Sequence, residues 1–501
     1  MKNILFITTD EQHRNTISAL GASTHSTPVM DRLINEGTFY ENAYSASPVC
    51  LPSRCTMMTG MMPHVSGSIS NIFGASLSPE HPNLFKELKK QGYTTSLHGK
   101  CHFIPVPYPA TRPDMTLEYE HFITYYRSLG MDRLDLQDDK NNSLWYFDDY
   151  SKELACKGLL TKYRDEAHMT PGNRCKFDFP HDASIHPDHW VGDKAAEHIK
   201  SLDPDDKAFV WVSFSGPHYP VDTPRKYIDM VDMSKDTGRV FREGEWERGD
   251  KYHANGYFGP GTTEGSSHAD HNAQKNYSED YWTDWRRRYF GNVVLIDEMM
   301  GNVIKAAEEK WGDDFVVIFT ADHGEMMGNH SLWGKNGSLY EDVLRVPLAV
   351  WEPSGKHERV SKTVVSTDLY PTILKYAGIR GTHALCDGVP LDEDEGRDYV
   401  ISECDNRVAV IKDRIKLEWN RYPRTGRIYK ELYDLEKDPD EFENEYFNSE
   451  YAEKIKELEA ILEEKEEKEH LLSTVFFDNG ERPYYADFGS GAGYLSHGGL
   501  N

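Results

Sequence analysis

The sequence is short of positive charge. Its 501 residues hold 56 Lys and Arg against 83 Asp and Glu, a net charge of −27. Nucleic acid and anionic membrane both repel such a chain, so neither is expected as a partner. The deficit is uneven: residues 431–470 carry 17 acids and 5 lysines, which leaves room for a basic pocket elsewhere. Long apolar runs are also missing, and none approaches the roughly 18 residues of a membrane-spanning helix. The apolar part of the opening M-K-N-I-L-F-I-T-T-D is too short for a secretory signal, so the expected location is the cytoplasm. Cysteine is scarce. There are seven, at 50, 55, 101, 156, 175, 386 and 404, with no C-x-x-C pair, which argues against a disulfide framework and a structural zinc site. The chain is otherwise rich: 38% hydrophobic, 12% aromatic and 28% charged. That composition excludes wholesale disorder. At about 150 residues per domain the length suggests about three domains, and two unequal ones fit a large α/β enzyme.

The first two-thirds alternates β-branched runs with helical patterns, which points to an α/β fold with a mostly parallel or mixed central sheet flanked by helices. Strands are expected at Ile4–Thr8, Tyr93–His98, Phe209–Phe214 and Phe315–Thr320. Helices are expected at Asn83–Gln91, Asp188–Ser201, Tyr281–Lys310 and Asp368–Ala377. Residues 103–180 and 220–280 have weak periodicity and read as long insertions that shape a pocket. After about Gly381 the pattern changes to short strands at Tyr399–Glu403, Arg407–Lys412, Ile415–Asn420 and Ile428–Leu435, then a helix over Tyr451–Glu469 striped by Ile455, Leu458 and Leu462. This predicts two domains, 1–380 and 381–501, the second a smaller α+β unit with an antiparallel sheet, a helix and a tail.

Ligands of open α/β sheets sit beyond the carboxyl ends of the strands. Asp10 and Glu11 follow the first expected strand, Lys100 and His102 the second, His218 the third, Asp322 and His323 the fourth. Each residue singly has a plain structural reading, as a helix cap, a solvated lysine or a loop histidine. Four such endings together predict one convergent site.

The segment P-V-C-L-P-S-R, Pro48 to Arg54, is the sharpest signal. Pro52 suits the first turn of a helix. Cys50 then lies at the helix N-terminus, where free N–H groups and the dipole favour an anion. Arg54 adds a fixed charge one turn on, and Gly60 is the expected stop. Read alone, Cys50 is either an activated thiol or a buried structural one.

That segment resembles the C-x-P-S-R signature of the type I sulfatases, in the alkaline phosphatase superfamily. The resemblance extends to N-I-L-F-I-T-T-D-E at the start, G-K-C-H (Gly99 to His102), G-P-H-Y-P (Gly216 to Pro220), T-A-D-H-G-E (Thr320 to Glu325), G-K-N-G-S-L-Y-E-D (Gly334 to Asp342) and E-L-Y-D-L-E-K-D-P (Glu431 to Pro439). It implies an alkaline phosphatase-like fold and hydrolysis of a sulfate monoester, and a carbohydrate sulfate is the expected substrate. It also implies that a maturation enzyme oxidises Cys50 to formylglycine, the nucleophile. Arg54 and Lys100 would hold it, Asp10, Glu11, Asp322 and His323 would bind one divalent cation together with residue 50, His102 would assist sulfate release, and His218 and Lys335 would contact the sulfate and leaving oxygen. Three positions depart from the commonest pattern: Leu51 replaces a small residue, Glu11 a second Asp, His323 an Asn. Oxygen donors make Ca²⁺ the first expectation, with Mg²⁺ open, and the histidine leaves room for Mn²⁺. Two alternatives stay open: a phosphonate monoester or phosphodiester hydrolase of the same superfamily, and a non-catalytic sulfated-glycan binder with unmodified Cys50. His64, His330 and the aromatic and basic residues Trp145, Tyr146, Trp246, Trp282, Trp285, Arg286, Arg287 and Arg288 are expected to be structural before they are substrate contacts.

Overall fold

The computed structural model describes residues 1–71, 76–104, 119–140, 148–168, 176–252, 277–335, 338–393, 396–404, 407–420 and 429–476. Trp145, Tyr146, Cys175 and the tail after Phe476 lie outside them. Eight strands form the main sheet: β1 (Asn3–Asp10), β2 (Thr38–Tyr44), β3 (Thr94–Gly99), β4 (Arg133–Leu136), β5 (Ala208–Pro217), β6 (Phe315–Ala321), β7 (Leu348–Trp351) and β8 (Glu358–Val365). Their order is β4-β3-β5-β1-β6-β7-β2-β8. Only β7 runs against its neighbours, antiparallel to β6 and β2.

Strand periodicity builds the two cores. Leu5, Ile7, Val210, Val212, Val317 and Phe319 point to one face and pack with the helices Pro28–Glu36, Pro187–Ser201 and Glu279–Trp311. Ile4, Phe6, Phe209, Trp211, Val316 and Ile318 point to the other and meet the helices Cys50–Thr59, Leu84–Lys90 and Leu369–Tyr376. Alternate residues take alternate faces, and both faces are covered, so β1, β5 and β6 are apolar throughout their middles. A second sheet, antiparallel in the order β12-β11-β10-β9, comprises β9 (Val400–Cys404), β10 (Arg407–Lys412), β11 (Ile415–Asn420) and β12 (Lys430–Asp434). The helix Ala452–Phe476 lays Leu458 and Leu462 on Val408, Val410, Leu417 and Leu432, with Ile455 alongside. The expected stripe is the buried one. No helix among the described residues is long and apolar enough to cross a membrane.

The sequence reading misses the sheet's outer strands. β4 is four residues long, and most of β8 is exposed or half-buried with charges in it, so neither carries an apolar run. It also reads residues 103–180 as an insertion of weak periodicity without placing elements in it, and helices occupy Tyr119–Ser128, Asp149–Cys156 and Leu160–His168 there. The second of these opens with a capping box between Asp148 and Ser151, a signal legible in the sequence.

Gly99 ends β3 with φ +107°, and a Cβ there would stand 2.0 Å from the Ser213 carbonyl oxygen of β5. Both the left-handed conformation and the close approach demand glycine. Gly99→Ala is expected to lower unfolding free energy by about 2–5 kcal/mol, the sum of backbone strain and overpacking. A lower urea midpoint at unchanged slope is the measurement.

Candidate active site

The four central strands β3, β5, β1 and β6 are neighbours and parallel. Their carboxyl ends therefore converge. Asp10 and Glu11 leave β1, Lys100 and His102 follow β3, His218 follows β5, and Asp322 and His323 follow β6. All of them are buried, as are Cys50 and Arg54, while Lys335 arrives on the loop after β6.

Cys50 is the first residue of its helix. Val49 is extended and offers no side-chain cap, and the helix ends at Gly60 in the left-handed region. The N-terminal N–H groups are thus left to the site rather than to a capping side chain. The Ser53 hydroxyl donates to the Asp322 carbonyl at 2.6 Å, as does that of Ser45. These bonds dock the helix start on the end of β6. The Cys50 Sγ lies 3.2 Å from His323 Nε2.

Arg54 is fully enclosed. Its Nε donates to Asp322 Oδ2 at 2.9 Å, and its Nη1 to the Lys100 carbonyl at 3.0 Å and Ser213 Oγ at 2.7 Å. Burial opposes its charge, but Asp322 and Asp10 outweigh burial and hold it charged more firmly than usual. Lys100 is ion-paired with Asp10, and with Asp139 at 2.6 Å. Burial again opposes the charge, and the two carboxylates reverse that effect.

His218 Nε2 is 3.0 Å from Glu11 Oε2 and 3.0 Å from Lys335 Nζ, and Lys335 Nζ is 3.1 Å from the same Glu11 oxygen. Burial pushes the Cys50 thiol up, yet Lys100, Lys335 and His323 together bring it well below its ordinary range. A hydrogen bond from the His102 side chain works in the same direction. The pocket around residue 50 therefore favours an anion there.

Two overlapping groups have the composition of metal ligands. Asp10, Cys50, Asp322 and His323 form one, and Asp10, Glu11 and His218 the other; in each, the ligand atoms lie within 4.8 Å of one another. Buried Asp10 Oδ1 and Glu11 Oε1 have no hydrogen-bond partner in the protein. Asp322 is pushed above the usual carboxylate range by burial and then by Asp10. Crowded, desolvated carboxylates with bare oxygens call for a counter-charge, and a divalent cation fits. The His323 Nδ1 lies 2.9 Å from the Gly324 carbonyl. Donation to that oxygen puts the proton on Nδ1 and leaves the Nε2 lone pair for the group. Glu11 reaches mainly toward His218 and Lys335, so its bare Oε1 is the atom that remains for a cation.

All of the sequence-derived site residues are thus in one place: Asp10, Glu11, Cys50, Arg54, Lys100, His102, His218, Asp322, His323 and Lys335. The sequence reading misses the groups that hold them. Asp138 accepts from the backbone N–H of Cys101 and of His102, at 2.9 and 2.8 Å. It anchors the turn where His102 adopts φ +48°. Tyr289 donates to the Glu11 carbonyl and accepts from His13 N–H at 2.9 Å, bracing Glu11 at φ +60°. Such conformations cost energy and persist where neighbours over-determine them. Glu325 Oε1 accepts from Gly334 N–H at 2.7 Å, next to Lys335.

His64 binds Glu403 Oε1 through its backbone N–H and Nδ1, both at 2.8 Å, and His330 meets Glu245 Oε1 at 2.6 Å. Trp246, Trp282 and Trp285 are buried, Arg286 pairs with Asp236 at 2.6 Å, Arg287 donates to the Ile228 carbonyl, and Arg288 pairs with Asp178 and Asp284. These residues have the structural roles expected of them.

A protein-family model described as Sulfatase matches residues 2–379. An arylsulfatase of Clostridium perfringens is 27% identical over 480 residues, covering 92% of this chain and 93% of the relative. An N-acetylglucosamine-6-O-sulfatase of Bacteroides thetaiotaomicron is 23% identical, covering 93% and 86%. Among solved structures, the phosphonate monoester hydrolase of Agrobacterium radiobacter superposes with a TM-score of 0.75 at 21% identity, over 94% of this chain and 96% of that one.

Proposed function

Since the chain belongs to the sulfatase family, we propose that it cleaves the sulfate monoester of a carbohydrate, with residue 50 as the nucleophile after conversion from cysteine to formylglycine. The observation that carries the reading is the buried group of Asp10, Cys50, Asp322 and His323, with ligand atoms within 4.8 Å of one another. The Sγ of Cys50 stands in for the two hydroxyl oxygens of the hydrated aldehyde. A divalent cation held by Asp10, Asp322, His323 and residue 50, with Glu11 Oε1 in reserve, would act there as a Lewis acid and make a hydroxyl acidic near neutral pH.

The chain's own groups account for the rest. Arg54 and Lys100, each locked by carboxylates, offset negative charge around residue 50 without reorganising. Lys335 and His218 meet at 3.0 Å, where the sulfuryl and leaving oxygens would lie. One hydroxyl of residue 50, having lost its proton to solvent, attacks sulfur in line with the leaving oxygen as the bond from sulfur to that oxygen breaks, and His218 gives the leaving oxygen a proton. His102, hydrogen-bonded to residue 50, takes the proton of the second hydroxyl, whose oxygen re-forms the carbonyl and expels sulfate. Serine or cysteine has no second hydroxyl and would need water to finish.

The carbohydrate is supported by relatives named for sugars, an N-acetylglucosamine-6-O-sulfatase and a Δ4,5-hexuronate-2-O-sulfatase. The same residues suit a phosphoryl centre. Comparing kcat/KM on aryl sulfate, phosphate diester and phosphonate separates the two readings. Conversion of Cys50 is tested directly: its tryptic peptide from the native host is expected about 18 Da below the unmodified mass. A peptide carrying only thiol, from a preparation that releases no sulfate, would overturn the formylglycine reading.

A further inference from the structure

Residues 138–140 follow β4 and take hold of three strand ends in turn. Asp138 accepts the His102 N–H after β3, and Asp139 pairs with Lys100. Lys140 reaches past β3, which lies between β4 and β5, to the segment that leaves β5. It is 1% exposed. Its Nζ donates to Asn292 Oδ1 at 2.5 Å and pairs with Asp222 Oδ1 at 3.1 Å. The same Nζ lies 3.5 Å from the Pro220 carbonyl and 3.8 Å from Asp188 Oδ2. Asp188 in turn accepts the Gly216 N–H at 2.8 Å and the Asn292 amide at 2.9 Å.

His218 lies between these two anchors. Gly216 is held on one side through Asp188, and Asp222 on the other by Lys140. The cluster packs so closely that a Cβ on Gly216 would stand 2.4 Å from Asp188 Oδ2 and 2.7 Å from Asn292 Oδ1. Within the segment, the His218 N–H donates to the Asp10 carbonyl at 3.1 Å, and its Nδ1 lies 2.5 Å from the Tyr219 carbonyl. The direction of the imidazole therefore follows the backbone that carries it. Burial opposes the charge of Asp222, but Lys140 and then His186 outweigh burial and hold that carboxyl well below its usual range.

We propose that Lys140 is a positioning residue for His218: by gripping Asp222 directly, and Gly216 through Asn292 and Asp188, it holds the imidazole where the leaving oxygen departs. The proposal rests on the sulfatase reading, because it takes His218 as the proton donor to that oxygen. Proton donation is steep in distance, and a displacement of about 1 Å costs about a hundredfold. A weakly acidic alcohol or phenol leaves poorly without that proton, whereas a strongly acidic phenol departs readily as its anion. Loss of the grip therefore penalises poor leaving groups selectively.

Matured Lys140→Met enzyme is expected to lose about a hundredfold in kcat/KM on phenyl sulfate and about threefold on 4-nitrophenyl sulfate, whose phenol is the more acidic. General damage to the fold would lower both alike. Lys140→Met leaves Asp188 and Asp222 buried without their lysine. The double variant Lys140→Met/Asp222→Asn, which removes an acid along with the cation, is therefore run beside it. Circular dichroism checks that each variant is folded. Hydrogen exchange is expected to quicken about tenfold over residues 214–222 and to stay within about twofold over Cys50–Thr59. Equal losses on the two esters, or unchanged exchange over 214–222 in a folded variant, overturns the proposal. Faster exchange there, combined with no sulfate release by the matured wild type, leaves the grip standing and overturns the sulfatase reading alone.

Discussion

Cys50→Ala enzyme is expected to turn over no more than about one ten-thousandth as fast as the matured wild type, the scale on which loss of a covalent nucleophile acts. The reason is local. Cys50 opens its helix, with His323 Nε2 3.2 Å from its Sγ, and among the described residues no other buried thiol shares that setting. Burial and a nearby acid push the Cys101 thiol well up, and burial pushes the Cys55 thiol up to about 12. Neither can substitute as an anion. Stability should change little, because alanine keeps the helix start and removes a group crowded by charge. Sulfate release under saturating substrate is the measurement, and a variant within tenfold of wild type would sink the assignment.

Asp322→Asn is expected to lose the cation and lower kcat by about a thousandfold. Asp322 is the most heavily used acid of the site. It takes Arg54 Nε at 2.9 Å, Glu11 N–H at 3.0 Å and His323 N–H at 2.9 Å. Asparagine has one acceptor oxygen and a donor amide, so it cannot serve Arg54 and both N–H groups together. Metal content per chain, measured by plasma mass spectrometry after desalting, is expected to fall from about one to near zero. Chelation of the wild type should give the same inactive state and a lower Tm, because a ligand of the folded state stabilises it by mass action. Full metal occupancy in the asparagine variant would remove Asp322 from the ligand set.

The central strands were legible because both of their faces are buried: residues 315–319 form an unbroken apolar run that needs no partner to be recognised. The helix from Cys50 to Thr59 was legible by its punctuation, Pro52 near its start and Gly60 at its stop. The edge strands were not, because β4 and β8 are short or half-exposed and are held by pairing with β3 and β2. The site shows the same division. Its reacting residues lie in short motifs next to strand ends. Their supports, Asp138, Asp139 and Tyr289, sit in stretches whose local pattern says nothing of chemistry.

Residue types, motif spacing and strand-end positions were therefore decided by the sequence itself, since each is a property of a few consecutive residues. Which oxygen of Glu11 is bare, which acids neutralise Lys100, and that Lys335 reaches His218 were decided only by tertiary structure. Each of those depends on groups far apart in the chain, Glu11 and Lys335 being 324 positions apart for one, brought together when the sheet orders β3, β5, β1 and β6 side by side. Long-range pairing is set by the burial of whole faces, and no local window of sequence contains it.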